Sequence, residues 1–210
     1  MLNKKDILKI KALFLEHFKD ASSELIFKNN YELIVCVILS AQCTDKRVNL
    51  ITPALFEKYP SVFDLANAKL STLKNLIQTC SFFNNKANNL IQMAKAVVSE
   101  FGGEIPLNEK DLLNLAGVGI KTAHVVLIEA KGANFMAVDT HVFRVSHRLN
   151  LTTAKTPELT DKELTKLFKT DLNKLHQAMI WFGRQTCKAI NPKCNECFLN
   201  QICPSFGKFN

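Results

Sequence analysis

Apolar residues recur three and four positions apart through most of the chain, the period that lays them along one face of an α-helix. Ile7, Ile10, Phe14 and Phe18 form such a stripe at the start, with Lys4, Lys5, Asp6, Lys9, Lys11 and Glu16 between them. The chain is therefore predicted to open with an amphipathic helix whose apolar face is core. Asn29 with Glu32 three residues on resembles a capping box, and it precedes Leu33-Ile-Val-Cys-Val-Ile-Leu39, which is apolar on every side. That run reads as a buried central helix. Its β-branched residues also raise a strand, but it lacks alternation, a hairpin turn and a comparable run to pair with.

Cap-type residues ahead of apolar residues at helical spacing mark further starts at Asp45, Ser61, Ser71 and Asn84 or Asn85. Pro53 is expected to kink or split one of these helices. Gly102-Gly103 closes the helix that runs to Phe101, and Asn108 caps the next, which carries Leu112, Leu113 and Leu115. Thr156-Pro157 is a cap followed by proline at the first helical position. The expected fold is all-α, about ten helices joined by short loops. With no solenoid repeat and no low-complexity tract, domain boundaries are weakly marked.

A chain of 210 residues has room for one large domain or two small lobes with a real core. At 47% hydrophobic and 22% charged it has the composition of an ordinary globule, which excludes a disordered chain. The net charge of +8 must sit on the surface, because unpaired charge is costly to bury. An acidic partner follows, and nucleic acid fits best on charge. The run Leu33 to Leu39 is far shorter than the roughly 20 residues that span a bilayer. Met1 to Phe18 lacks the unbroken apolar stretch and cleavage site of a secretory signal. A cytoplasmic protein without membrane association is expected.

Cysteine usage sharpens the picture. Cys36, Cys43 and Cys80 are scattered, and Cys36, inside the apolar run, reads as a packing residue. Cys187, Cys194, Cys197 and Cys203 crowd the last stretch as C-x6-C-x2-C-x5-C. In a chain without secretory signals such a cluster argues for a metal centre rather than disulfides. The spacing is neither that of bacterial ferredoxins nor the paired C-x2-C knuckles of zinc ribbons, so it leaves zinc and an iron-sulfur cluster open. Arg184, Lys188, Lys193 and Lys208 surround this loop against the single acid Glu196. A metal-pinned loop that displays Lys188 and Lys193 is a rigid way to meet phosphates, a solvated basic loop being the plainer account. The five histidines show no zinc-finger or H-E-x-x-H spacing.

The segment Leu115-Ala-Gly-Val-Gly-Ile-Lys-Thr-Ala123 places two of only seven glycines two apart between helical patterns. Gly117, Val118 and Gly119 thus form a hairpin between helices, the second of which stops near Gly132. Without β-carbons at the glycines, backbone N–H groups at that helix start can approach a phosphate, and the macrodipole favours it. A glycine turn with no ligand is the alternative. Lys121 lies in the first turn, where the dipole and any burial disfavour its ammonium form and so favour a nucleophilic amine. A lysine that only touches phosphate is the alternative there. Asp139, in Val138-Asp-Thr-His141, is placed to cap the next helix, and a carboxylate near a lysine is also a proton-transfer partner.

These segments, in this order, together with Leu39-Ser-Ala-Gln-Cys-Thr-Asp45 and Asn84-Asn-Lys-Ala87, resemble the endonuclease III family of helix-hairpin-helix DNA glycosylases with lyase activity. The resemblance covers nearly the whole chain. It implies a six-helix barrel with the hairpin at residues 23–133, and a second helical lobe from residues 1–22 plus 134–210. The second lobe would carry a [4Fe-4S] cluster on Cys187, Cys194, Cys197 and Cys203, mainly structural and electrostatic. DNA would lie across the cleft between the lobes.

The implied function is base excision repair by a monomer in the bacterial cytoplasm, associated with the nucleoid through damaged double-stranded DNA. The target base leaves the stack, Lys121 displaces an oxidised pyrimidine to form an imine, and β-elimination cuts the strand. Asp139 assists proton transfers or stabilises the cationic sugar. Gln42 matches the family residue that fills the space left by the flipped nucleotide, and Phe82 stands where an apolar wedge, usually leucine, is found.

Four departures from the family pattern are expected to alter affinity and substrate range rather than chemistry. Ala116 replaces a common proline, Ile120 a frequent arginine, His124 a frequent asparagine and Ser81 a usual glycine. A mismatch-specific adenine glycosylase of the same superfamily shares the cysteine spacing but lacks a lysine matching Lys121 and usually has a further C-terminal domain, whereas this chain stops at Asn210. A non-catalytic, metal-stabilised DNA-binding module is a second rival. An electron carrier is a third, and it explains neither the hairpin nor the charge.

Overall fold

A computed structural model describes residues 3–208. Among them the chain is all-α, with eleven α-helices, one 3₁₀ turn and no strand. The helices are α1 (Lys4–His17), α2 (Asn30–Ser40), α3 (Asp45–Lys58), α4 (Val62–Ala66), α5 (Leu70–Ile77) and α6 (Phe83–Phe101). They continue with α7 (Glu109–Leu112), α8 (Ile120–Lys131), α9 (Thr140–Arg148), α10 (Pro157–Phe168) and α11 (Leu172–Gln185). Contacts divide the chain into two compact units, Glu24–Ala133 and Met1–Ser23 with Asn134–Asn210. Among the described residues no helix is long and apolar enough to cross a membrane.

The unit Glu24–Ala133 is built around α2. Every residue from Tyr31 to Leu39 is buried, and α2 packs on α3, α6 and α8. Each large side chain hidden there, such as Leu33, Ile34 and Leu39, contributes roughly 1.5–3 kcal/mol. Asn29 caps α2 by accepting the Glu32 N–H at 2.9 Å. The Glu32 carboxylate reaches back to the Lys28 N–H at 2.7 Å rather than to that of Asn29, so the box closes one residue early. Ser61 and Asp64 form the full reciprocal box at α4.

Other starts shift by a residue or two from the sequence reading. Thr44, not Asp45, caps α3, while α5 and α6 begin at Leu70 and Phe83 without a side-chain cap. At these ends the buried Leu73, Ile77, Ala87 and Leu90 set the helix phase, and packing outweighs cap chemistry. Pro53 neither splits nor ends α3, which runs unbroken with the proline ring on its exposed side.

The other unit has its own core. Ile10 and Phe14 of α1 are fully buried against Val142, Val145, Leu164, Leu172, Leu175, Met179 and Phe182. The Phe14 and Phe182 rings meet edge-on at 5.2 Å, and Phe198 of the C-terminal loop lies 5.2 Å from Phe182 and stacks on His17 at 4.1 Å. The opening helix is therefore bound to the last quarter of the chain. Lys11 reinforces this by donating to the Thr170 carbonyl at 2.7 Å and pairing with Asp171 at 2.8 Å. Thr156 caps α10, with Pro157 at its first position.

Candidate functional site

The one-turn α7, capped by Asn108, leads through Leu115 and Gly117 into α8. The Val118 N–H closes the turn on the Leu115 carbonyl at 3.1 Å, and Val118 itself is buried. Gly117 holds φ at +82°, which only glycine adopts without strain. Gly119 is the N-cap of α8 in ordinary extended geometry, with no side-chain cap and no atom within 4 Å of where a β-carbon would stand. The first N–H groups of α8, on Ile120, Lys121 and Thr122, have no partner within the helix by construction of its hydrogen-bonding pattern. An open, uncapped helix start is what an anion needs. Buried His124 lies 3.7 Å from Glu109 and links α8 to α7. Lys121 stands exposed on the first turn, so burial, one of the two influences expected from sequence, is absent here.

In the same unit, Gln42 and Phe82 are both exposed and both left-handed, with φ of 54° and 57°. Non-glycine residues held in that region cost about 1–3 kcal/mol each and cluster at functional sites. Phe82 is 63% exposed, a large apolar ring presented to solvent. Ala116 and Ser81 introduce no clash, and Ile120 is exposed at the hairpin rim.

Asp139 belongs to the other unit, where it is half-buried and caps α9 by accepting the Val142 N–H at 2.7 Å. Two arginines one turn apart on α9 hold the start of the cysteine loop. Arg144 donates to the Cys187 carbonyl at 3.1 Å and the Gly183 carbonyl at 2.8 Å. Arg148 donates to the Lys188 and Ala189 carbonyls at 2.6 and 3.1 Å and to Cys187 Sγ at 3.5 Å. Sequence reasoning missed both; their i, i+4 spacing at the end of α9 was the available signal. Burial pulls the His141 imidazole below its ordinary value, which suits Nδ1 as acceptor of the 3.2 Å contact from Arg144.

Cys187, Cys194, Cys197 and Cys203 are all free thiols and line one cavity with Arg148 and Phe182, enclosing about 410 Å³ including space open to solvent. Leu199, fully buried in the core, anchors the loop, and its N–H donates to Cys197 Sγ at 3.4 Å. Among the described residues no three metal-ligating side chains converge as a single ion requires. A zinc tetrahedron brings its sulfurs within about 4 Å of one another, whereas four soft donors set wider around a shared cavity suit a polynuclear cluster. Burial, with the neighbouring thiolates adding to it, pushes Cys197 up to about 11 and raises Cys203. Such thiols release their protons to a cation bound among them. The donor set fits an iron-sulfur cluster. Lys188 and Lys193 are exposed beside it, Lys193 3.8 Å from Glu196, a surface pair of little strength.

An uncapped glycine hairpin carrying a lysine, and a four-thiol loop in the same all-α chain, define a helix-hairpin-helix protein of the iron-sulfur class. The family model for "HhH-GPD superfamily base excision DNA repair protein" matches residues 35–170, and that for "Iron-sulfur binding domain of endonuclease III" matches residues 187–203. The chain is 40% identical over 205 residues to endonuclease III of Bacillus subtilis strain 168, which covers 97% of this chain and 94% of that one. A non-covalent endonuclease III–DNA complex superposes with TM-score 0.94 at 38% identity, covering 99% of this chain and 98% of the other. A trapped endonuclease III–DNA covalent intermediate, an estranged-adenine complex, matches with TM-score 0.94 at 38% identity, covering 99% of both chains.

The chain belongs to the endonuclease III family. It is a DNA-binding enzyme of base excision repair, a DNA glycosylase and AP lyase, and it carries a [4Fe-4S] cluster.

Proposed function

We propose that this protein removes oxidised pyrimidines from damaged double-stranded DNA and then cuts the strand, with Lys121 as nucleophile and Asp139 as its carboxylate partner. The observation that carries this reading is an exposed lysine on the first turn of a helix whose glycine N-cap leaves the approach open. The reacting carbon is inaccessible inside the duplex, so the nucleotide first turns out of the stack. The uncharged Lys121 amine attacks the anomeric carbon, the glycosidic bond breaks, and the base departs with the bonding electrons and takes up a proton. Asp139 stabilises the positive charge that develops on the sugar and relays the proton lost from the amine. Ring opening leaves an imine between Lys121 and the sugar, an electron sink that lets a C2′ proton depart and expels the 3′ phosphate. Water then releases the lysine.

Gly117, Val118 and Gly119 present the α8 N–H groups to a backbone phosphate, and Lys188 and Lys193 add contacts that position without reading sequence. Gln42 and Phe82 occupy the space the displaced nucleotide leaves. Glu24–Ala133 serves as the hairpin domain and the remainder as the cluster domain. Cys187, Cys194, Cys197 and Cys203 hold the cluster, which supplies structural and electrostatic pinning of the basic loop. The protein acts as a monomer on the nucleoid of a bacterial cytoplasm.

Borohydride trapping on an oxidised-pyrimidine duplex tests the reading. A covalent protein–DNA adduct is expected, and Lys121→Ala should abolish both the adduct and strand cleavage. An adduct of undiminished yield with Lys121→Ala would remove this lysine from its role.

A further inference from the structure

Lys86, on the first turn of α6, is only 6% exposed, and nothing in the reaction above uses it. Its ammonium donates to the Leu39 carbonyl at 2.7 Å, the Ala41 carbonyl at 2.7 Å and Cys80 Sγ at 3.2 Å. All three of its N–H donors are thereby spent, and none of the three acceptors is a carboxylate. Burying an ammonium is costly unless its surroundings repay it.

The repayment lies at the end of α2. That helix has no basic residue in its last turn, and Ala41 follows it in extended backbone. Its terminal carbonyls and the negative end of its dipole are therefore uncompensated from within. Lys86 supplies the cation from another helix. The Cys80 thiol joins the same group, donating to the Leu39 carbonyl at 3.2 Å while accepting from Lys86. Burial raises the Cys80 pKa, which keeps the thiol a donor.

The two chain segments joined in this way are those that carry Gln42 and Phe82. Ala41 directly precedes Gln42, Cys80 stands two residues before Phe82, and the Lys86 N–H donates to the Phe82 carbonyl at 3.1 Å. Gln42 and Phe82 are the strained left-handed residues of these segments. We infer that Lys86 is a positioning residue that holds Gln42 and Phe82 at a fixed separation, so that both enter the duplex together when the lesion base leaves. This rests on the gap-filling role proposed for those two residues. Lys86 touches no reacting atom and acts through them.

The test uses the cluster-loaded protein and a duplex with one thymine glycol opposite 2-aminopurine, whose emission reports unstacking. Lys86→Met should lower kcat/KM by up to about a hundred-fold, as a misplacement of about 1 Å does, and suppress the emission change. In a Gln42→Ala/Phe82→Ala background the same substitution should cost less than about threefold, because residues acting as one unit are non-additive. A normal emission change with Lys86→Met, or a full additive loss in the double-variant background, overturns the inference. A normal emission change with Gln42→Ala/Phe82→Ala overturns the gap-filling reading, and the inference with it.

Should Lys86→Met not fold, Cys80→Ala removes one anchor and keeps the charge. An emission loss that disappears in a Phe82→Ala background supports the coupling, and an equal loss in both backgrounds overturns it.

Discussion

Gly117 and Gly119 lie two residues apart and answer different demands. At Gly117 the backbone is left-handed at φ +82°, and a β-carbon would stand 3.0 Å from Asn89 Cβ. At Gly119 the backbone is ordinary and the space beside it is empty. Gly117→Ala should therefore destabilise the fold by about 1–3 kcal/mol through strain. Gly119→Ala should cost less than about 1 kcal/mol, since it only weakens an N-cap, but should lower DNA affinity by obstructing the phosphate approach. Denaturant unfolding beside binding titrations checks both, and a stable Gly117→Ala protein would contradict the assignment. The G-V-G spacing was legible in sequence because glycine is rare in this chain. Which glycine serves the backbone and which serves a ligand was not, since that depends on Asn89 of a different helix.

Among the elements, most starts could be read from local chemistry, because a cap hydrogen bond joins residues three apart and needs no partner from elsewhere. Asn29, Ser61, Asn108, Asp139 and Thr156 all cap the helices that follow them. The starts of α5 and α6 could not be read this way, because buried positions and the left-handed Phe82 set them. Asp139 holds two roles at once, as cap of α9 and as carboxylate in the proposed reaction. Substitution separates them. Asparagine caps as well as aspartate, so Asp139→Asn should leave unfolding free energy within about 0.5 kcal/mol while cleavage falls sharply. Asp139→Ala should lose both activity and about 1 kcal/mol of stability. Equal cleavage by Asp139→Asn and the unsubstituted protein would leave Asp139 as a cap alone.

For the molecule as a whole, the +8 charge makes DNA affinity a salt-dependent quantity. Each phosphate neutralised releases counterions, so log affinity should fall with log salt at a slope of about −0.9 per contact. Removing Lys188 and Lys193 together should flatten that slope by nearly two such contacts, and an unchanged slope would take them out of the interface. The sequence by itself determined the helical class, the caps, the four-thiol loop and the lysine after the glycine turn. All of these are short-range matters of period, spacing and residue type. Tertiary structure alone decided that the opening helix packs on the C-terminal loop, that Arg144 and Arg148 hold the first ligand cysteine, and that Lys86 closes the end of α2. Each joins residues tens of positions apart through a backbone carbonyl, a ring face or a sulfur. Every residue carries a backbone carbonyl, so a sequence does not reveal which one a distant side chain will find.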